Sequence, residues 1–483
     1  MNNSNKKLPP AWLSFIPLIV LVALISMVVY IFGADSLAGA SQISLLIAAA
    51  ISVGLGTLFK QITWLEFENA VAKKISDVSQ AIIILLLIGA LSGAWMISGI
   101  VPMFIYCGLQ ILSPEYFLVA TCIICAIVSV ITGSSWTTVA TMGIALIGVG
   151  KALGISECWI AGAIISGSYF GDKISPLSDT TVLASSTTGV ALFTHIRYML
   201  YTTVPTMIIT LVIYAIYGLT LSADAPVETS AYLEGLHNTF NLSPWLFLVP
   251  TLTGLLIAKR APSVVVLFFA ITMGIIAAMI FQPKLLSPDN SGFCAMFKGS
   301  MIAVYGSTNV DTGVETLNKL VATKGMAGMM STIWLILCAM VFGGAMTATR
   351  MLESIMIMFL RFTKSTLSIV ASTVGVGTFM NTICGDQYLS IIMTTSAFRP
   401  AYEKAGFEPR LLSRTTEDSV TVTSPLVPWN TCGMTQSTVL GVSVFTYAPY
   451  AFFNLISPLT TMFVAAIGYK IFRKNPQKNS AEQ

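Results

Sequence analysis

Runs of about twenty residues without one charged side chain recur along this chain, and they restrict its fold more than any motif does. Residues 12–32, 79–114 and 263–281 are each uncharged. A helix of that length spans the hydrocarbon of a bilayer. Composition agrees: 55% of the residues are hydrophobic and 10% are charged, against roughly 25% charged in soluble domains. The chain is read as an all-α polytopic membrane protein of about ten transmembrane helices. A formal charge of +4 gives no reason to expect nucleic acid, and membrane lipid is the surrounding medium.

The expected crossings are 12–32, 41–59, 81–98, 157–190, 193–217, 244–258, 262–282, 327–347, 407–440 and 442–470. Those at 157–190 and 407–440 are interrupted by proline and charge. Two further apolar segments, 115–150 and 365–398, fold in half at "TGSSWTT" (132–138) and "NTICGDQY" (381–388). Limbs of about 12 to 18 residues suit re-entrant hairpins. The N-terminal run is read as a retained helix, since no small-residue cleavage site follows it.

Blocks repeat at an offset near 250 residues. "LSGAWM" (91–96) answers to "FGGAMT" (342–347), "GSSW" (133–136) to "GDQY" (385–388), and "SPL" (175–177) to "SPL" (424–426). Each unit holds five crossings and a hairpin, and an odd number turns the second unit over. The expected organisation is a first inverted repeat at 1–217, with hairpin 115–150 and broken helix 157–190. An extracytoplasmic loop follows at 218–243. The second repeat covers 244–470, with hairpin 365–398 and broken helix 407–440, and a cytoplasmic tail covers 471–483. With both termini cytoplasmic, Lys6, Lys7, Lys60, Lys73, Lys74, Arg197, Lys259, Arg260, Arg350, Arg361, Lys364, Arg399, Lys404, Arg410, Arg414 and the basic tail face inward, as the positive-inside bias requires.

The four breaks gather polar groups where lipid cannot satisfy them. Proline removes a donor and clashes one turn back, so Pro176 and Pro425 open equivalent crossings. Candidate ion- or proton-binding residues are Asp172, Asp179, Asp386, Asp418, Ser134, Ser135, Thr137, Ser175, Asn381, Thr382, Thr421 and Ser424. Carboxylates, hydroxyls, an amide and freed carbonyls are hard oxygen donors suited to a hard cation, with Na⁺ expected at Asp172, Asp386 and Asp418. A carboxylate kept from water also takes a proton more readily, so one site can hold Na⁺ or H⁺ in turn. Lys173, Glu417, Trp429 and Asn430 are substrate or charge-compensating candidates. Lys173 is expected to neutralise Asp172 or Asp179, and Glu417 to stand at the site or at the cytoplasmic mouth. Trp136 and Trp429 also read as packing or gate residues.

Other classes fit less well. Cys122 and Cys125 form a CxxC inside an apolar run with no second pair, which reads as packing. Ser134 and Ser135 have no base in prospect. His195 and His237 lie far along the chain, and no HExxH, GxSxG or Walker-type loop appears, so no enzyme is expected. Opposed hairpins favour alternating access over a channel.

The blocks "GSSWTTVATMGIAL", "AGAIISGSYFGDKISPLSDTT", "LFTHIRYML", "SRTTEDSVTVTSPLVPWNTCG" and "YAPYAFFN" resemble the NhaC family of sodium/proton antiporters, from about residue 60 to 465. That family includes the malate/lactate exchanger MleN. The resemblance implies a place in the ion-transporter superfamily, with inverted repeats, an elevator-like mechanism and a homodimer. It also implies a bacterial inner-membrane location, and Na⁺ and H⁺ as transported ions without a cofactor. One departure is "VLASSTTG" after Thr181. Val182 stands where relatives often carry Asn, and a substrate touching that position would differ. The expected function is Na⁺/H⁺ antiport. The alternative is Na⁺- or H⁺-coupled exchange of a small organic anion or an amino acid, with Lys173 and the half-helix N-termini receiving a carboxylate.

Overall fold

In the computed structural model the chain is helical nearly throughout, and the structure describes residues 8–32, 39–59, 62–221, 229–259, 261–287, 292–308, 310–360 and 365–473. Lys6, Lys7, Lys60, Arg260, Arg361, Lys364 and the tail beyond Arg473 lie outside the described residues. Among those described, eight helices are long and apolar enough to cross a membrane. The number is ten if two bent pairs each count as one span. The molecule is therefore a multi-pass membrane protein. One bent pair, Ser230–Thr239 with Pro244–Leu256, turns by 89° and places a helix inside the expected 218–243 loop. The other, Val444–Tyr450 with Phe452–Ala466, bends by 54°.

The helix order runs twice. Ser79–Ile97, Ile100–Ile111, Pro114–Thr132, Glu157–Ile174 and Asp179–Thr188 are answered by Met330–Ala348, Met351–Leu360, Thr366–Cys384, Pro409–Thr416 and Thr431–Leu440. Backbone signs repeat in step. Among the left-handed residues, Gly99, Gly133, Gly154 and Gly189 are answered by Arg350, Gly385, Gly406 and Gly441, while Gly292, Gly313, Gly325, Gly468 and Lys470 stand outside this pattern. A left-handed residue ends a helix by turning its last N–H back onto an earlier carbonyl, so helices stop at corresponding places in both halves. Arg350 takes φ 56 where the first half has glycine, and its guanidinium is clasped by Glu353 at 2.7 Å.

Both folded segments turn as the sequence suggests, at Gly133–Ser134 and Gly385–Asp386. Their first limbs are longer than expected. Pro114–Thr132 and Thr366–Cys384 each have 19 residues, and both meet the length and apolarity of a full crossing. Their polar residues before the tip are mostly small hydroxyls such as Thr121, Ser129, Ser372 and Thr373, which a membrane helix accommodates. A further helix, Trp64–Asp77, was not foreseen. Thr63 and Glu66 close a capping box at its start, and it packs against Met330–Ala348.

Small residues position the interrupted helices. A Cβ on Gly167 would stand 2.1 Å from the carbonyl of Cys122, and one on Gly171 2.4 Å from that of Ala126. Only glycine lets Glu157–Ile174 lie this close to Pro114–Thr132. Cys122 and Cys125 are buried there as free thiols, Cys122 packing on the Met207 sulfur at 4.0 Å.

Candidate functional site

Helix Glu157–Ile174 stops at Ser175 and Pro176 and restarts as Asp179–Thr188 under the Ser178 cap. Helix Pro409–Thr416 widens into a π-turn, Glu417–Thr421, then tightens into Ser424–Leu426. It resumes at Thr431 under the Asn430 cap. Each break meets the hairpin tip of its own half. Gly133 abuts the Leu177 backbone. The Thr431 N–H donates to the Gly385 carbonyl at 2.8 Å.

The sequence suggested that carbonyls freed at the breaks are open to an ion. Seven carbonyls at and around the breaks are instead taken by side chains. Thr181 Oγ1 donates to the carbonyls of Asp172 (3.2 Å) and Lys173 (3.0 Å). Asn381 Nδ2 donates to Val420 O at 2.6 Å, Asn454 Nδ2 to Val422 O at 2.8 Å and the Tyr447 hydroxyl to Pro425 O at 2.5 Å. Trp429 Nε1 donates to Thr382 O at 2.6 Å, and Asn430 Nδ2 to Asn381 O at 3.1 Å. Buried backbone groups demand partners, and the polar residues around the breaks supply them.

Side-chain atoms stay open instead, several oxygens and the three nitrogens of Arg414 among them. Among the described residues, neither carboxylate oxygen of Glu417 has a hydrogen-bond partner, nor do Asp418 Oδ2, Thr421 Oγ1, Asn381 Oδ1 and Asn454 Oδ1. Thr421 faces Glu417 from the same π-turn without reaching hydrogen-bond geometry. A π-turn is a costly irregularity that recurs at functional sites. Here it brings two consecutive acids into the interior.

The charged centre bridges the halves. Lys173 pairs with Asp418, both fully buried. Lys173 Nζ also donates to Ser457 Oγ at 3.1 Å. Asp418 Oδ1 accepts from Thr202 Oγ1 at 3.2 Å and from Ser457 Oγ at 3.3 Å. Arg414 Nε stands 4.0 Å from Asp418 Oδ2, and its guanidinium lies 4.4 Å over the Tyr198 ring. Glu417 lies in the field of Lys173, Asp172 and Asp418. Asp172, buried to 4% exposure, accepts a 2.7 Å hydrogen bond from Ser135 Oγ at the first tip.

Several expected roles change. Lys173 does not neutralise Asp172 or Asp179; its partner comes from the other half. Glu417 is fully buried rather than at a mouth. Asp179 is exposed at the first turn of its helix, where a negative charge complements the helix dipole. Asp386 caps its helix by accepting from Leu389 N at 2.9 Å, with Thr431 Oγ1 at 3.5 Å. Ser134 likewise caps, receiving Thr137 N and Thr137 Oγ1, each at 3.2 Å. Ser175 Oγ donates to Val130 O at 2.8 Å, and Thr382 Oγ1 to Thr378 O at 3.3 Å. Ser424 Oγ is 2.8 Å from Thr421 O and 3.0 Å from Gln387 Oε1. Trp136 keeps its indole nitrogen buried, near Cys432 and with no partner in hydrogen-bond geometry among the described residues. Among the described residues no three Asp, Glu, His or Cys side chains converge as a metal-ion set, so Asp172, Asp386 and Asp418 do not meet at one point.

Sequence reasoning missed four contributors. Arg414 and Lys74 were counted as inward surface charges, yet both are buried. Lys74 lies in the field of Asp386. Thr202 and Ser457 carry no break or charge that would have marked them. The signal for Arg414 was its place one helical turn before Asp418.

A buried charged centre assembled from two broken helices is a recurring plan of secondary transporters. The chain belongs to the Na⁺/H⁺ antiporter family, which it matches over residues 2–189 and 167–469. It is a secondary antiporter. One relative is the Na⁺/H⁺ antiporter NhaC of Alkalihalophilus pseudofirmus, 35% identical over 91% of this chain and 92% of the relative. Another is the malate-2H⁺/Na⁺-lactate antiporter of Bacillus subtilis, 35% identical over 86% of each chain. The arginine/ornithine antiporter ArcD of Halobacterium salinarum is 31% identical over 99% of this chain and 96% of its own.

Proposed function

We propose that the protein exchanges Na⁺ for H⁺ across a bacterial inner membrane, both termini cytoplasmic. One observation carries this reading: two buried cations, Lys173 and Arg414, and three buried carboxylates, Asp172, Glu417 and Asp418, lie in one another's field, the buried His195 beside Lys173 being counted as neutral. With all five ionised, the centre lacks one positive charge. Unbalanced charge in a low-dielectric interior is costly. One proton or one Na⁺ restores neutrality, and both at once overshoot it. That mutual exclusion is the minimum physics of antiport.

The open oxygens of Glu417, Thr421 and Asn381 are the donors a Na⁺ would meet, with Asp172 and Ser135 alongside. Lys173 and Arg414 fix the charge at which the site empties. The doubled helix order supports two inverted halves rocking or sliding by an elevator-like movement, with a homodimer as the expected assembly. No cofactor or catalytic step enters this reading. The test is purified protein in liposomes with an internal pH dye. A Na⁺ pulse moves protons without organic solute, and absence of that movement refutes the reading.

A second reading is Na⁺- or H⁺-coupled exchange of a small organic anion or an amino acid. Arg414 favours it, because among the described residues none of its three nitrogens has a hydrogen-bond partner and guanidinium matches carboxylate geometry. Proton movement that requires added malate, lactate, arginine or ornithine selects this reading over the first.

A further inference from the structure

Helices Leu192–Gly218 and Phe452–Ala466 pack together, and each carries an internal proline, Pro205 and Pro458. Proline opens a helix locally. At this level the pair leaves an outward groove of about 380 Å³. Tyr201, Pro205 and Ile209 form one wall, and Leu459, Phe463 and Tyr469 line the other side. That volume is in the range of small-molecule sites, and the lining is almost wholly apolar.

One end of the groove is basic and held in place. Lys470 takes the left-handed conformation, φ 52, which costs a non-glycine residue energy. The turn is pinned by the Tyr198 hydroxyl donating to Lys470 O at 2.8 Å and by the Tyr469 ring set edge-on to Tyr201 at 5.9 Å. Lys470 Nζ thereby lies 5.9 Å from the centre of the Tyr201 ring. Arg197, exposed, sits one turn before Tyr201 on the same helix face. An apolar slot capped by two exposed cations is complementary to one acyl chain beneath an anionic headgroup.

We propose that this groove binds an anionic phospholipid, the acyl chain between the two helices and the phosphate between Arg197 and Lys470. The site reaches the charged centre through its own walls. Thr206 Oγ1 donates to Thr460 Oγ1 at 2.9 Å across the pair. One turn away on each helix, Thr202 and Ser457 contact Asp418. Tyr198, which holds Lys470, carries the Arg414 guanidinium on its ring. A bound lipid therefore braces the helices that fix Asp418, whatever the transported solute.

The test is native mass spectrometry of detergent-purified full chain, given phosphatidylglycerol or phosphatidylcholine with identical acyl chains. Wild type retains phosphatidylglycerol about tenfold or more in preference, as two basic contacts allow, and millimolar inorganic phosphate does not displace it. The Arg197→Gln/Lys470→Gln variant loses the preference while keeping weak retention of both lipids. Leu459→Trp fills the slot and lowers retention of both. Both changes are on the outer surface, and unaltered thermal transitions show intact folding. Equal retention of the two lipids by wild type, or an unchanged preference in the double variant, overturns the proposal. So does a Leu459→Cys variant that crosslinks between two copies, because a second chain then occupies the groove.

Discussion

Lys173 and Asp418 stand 245 residues apart in the chain, one in each half, and form an ion pair with no solvent exposure on either side. Each comes from a helix broken within a few residues of it. The pair is therefore the point where the two halves are electrically joined, and whatever moves one half must carry or break it.

Removing one member leaves the other charged and buried. Asp418→Asn is expected to destabilise the protein by about 3–5 kcal/mol and to abolish exchange. Lys173→Met/Asp418→Asn removes both charges and keeps the centre one positive charge short. It should recover most of the lost stability and a measurable part of Na⁺ binding. Thermal transitions in detergent and ²²Na⁺ binding read both effects. A double variant no more stable than Asp418→Asn would show that the pair does not act as a unit.

Asp172→Asn and Glu417→Gln test the charge rule without orphaning a cation. An Asn at 172 still accepts the Ser135 hydrogen bond, and Glu417 has no hydrogen bond to lose among the described residues. Stability should change by about 1 kcal/mol or less. Each substitution makes the remaining centre neutral without a bound ion, so Na⁺-driven proton movement should vanish in both. Wild-type rates in a pH-dye liposome assay for either variant would remove that residue from the site.

The breaks were legible because they break rules. Pro176 and Pro425 inside apolar runs, and glycine beside a capping residue at 133–134 and 385–386, are local signals, and the structure turns the chain at each. The pairing of Lys173 was not legible, because the nearest acids in sequence, Asp172 and Asp179, are not its partners in space. Asp179 opens its helix on an exposed position, yet stays within the field of the buried Asp172. Arg414 and Lys74 illustrate the converse. A basic residue near a helix end is normally solvated, and only the packing of other helices around it decides that these two are not. Thr202 and Ser457 are invisible for a simpler reason: a hydroxyl in a membrane helix usually bonds its own backbone, and sequence does not show which ones look inward.

Competition between H⁺ and Na⁺ for a single missing charge has a quantitative signature. Over the pH range in which the empty centre holds its proton, each Na⁺ bound must release one. The apparent Kd for Na⁺ should then fall about tenfold for each unit rise in pH, and level off once the proton has left. Isothermal titration calorimetry in buffers of different ionisation enthalpy gives both the slope and the proton count. A pH-independent Kd, or binding with no proton released, is incompatible with the exchange proposed.

The two hairpin tips should respond unequally to the same substitution. Gly133 has φ 67, and a Cβ there meets the Leu177 backbone at 2.6 Å. Gly385 has φ 65, but its nearest neighbour is the flexible end of Met340 at 3.2 Å. The left-handed conformation costs alanine roughly 1–2 kcal/mol at either site. Only at Gly133 must the tip also move away from the break, since backbone does not yield as a methionine side chain does. Gly133→Ala should therefore lower the thermal transition more than Gly385→Ala, and reduce transport out of proportion to stability by shifting Ser135 from Asp172. Gly375→Ala, where a Cβ meets nothing within 4 Å among the described residues, serves as the control. Equal losses at the two tips would mean that contact between the first tip and its break does not hold Asp172 in place.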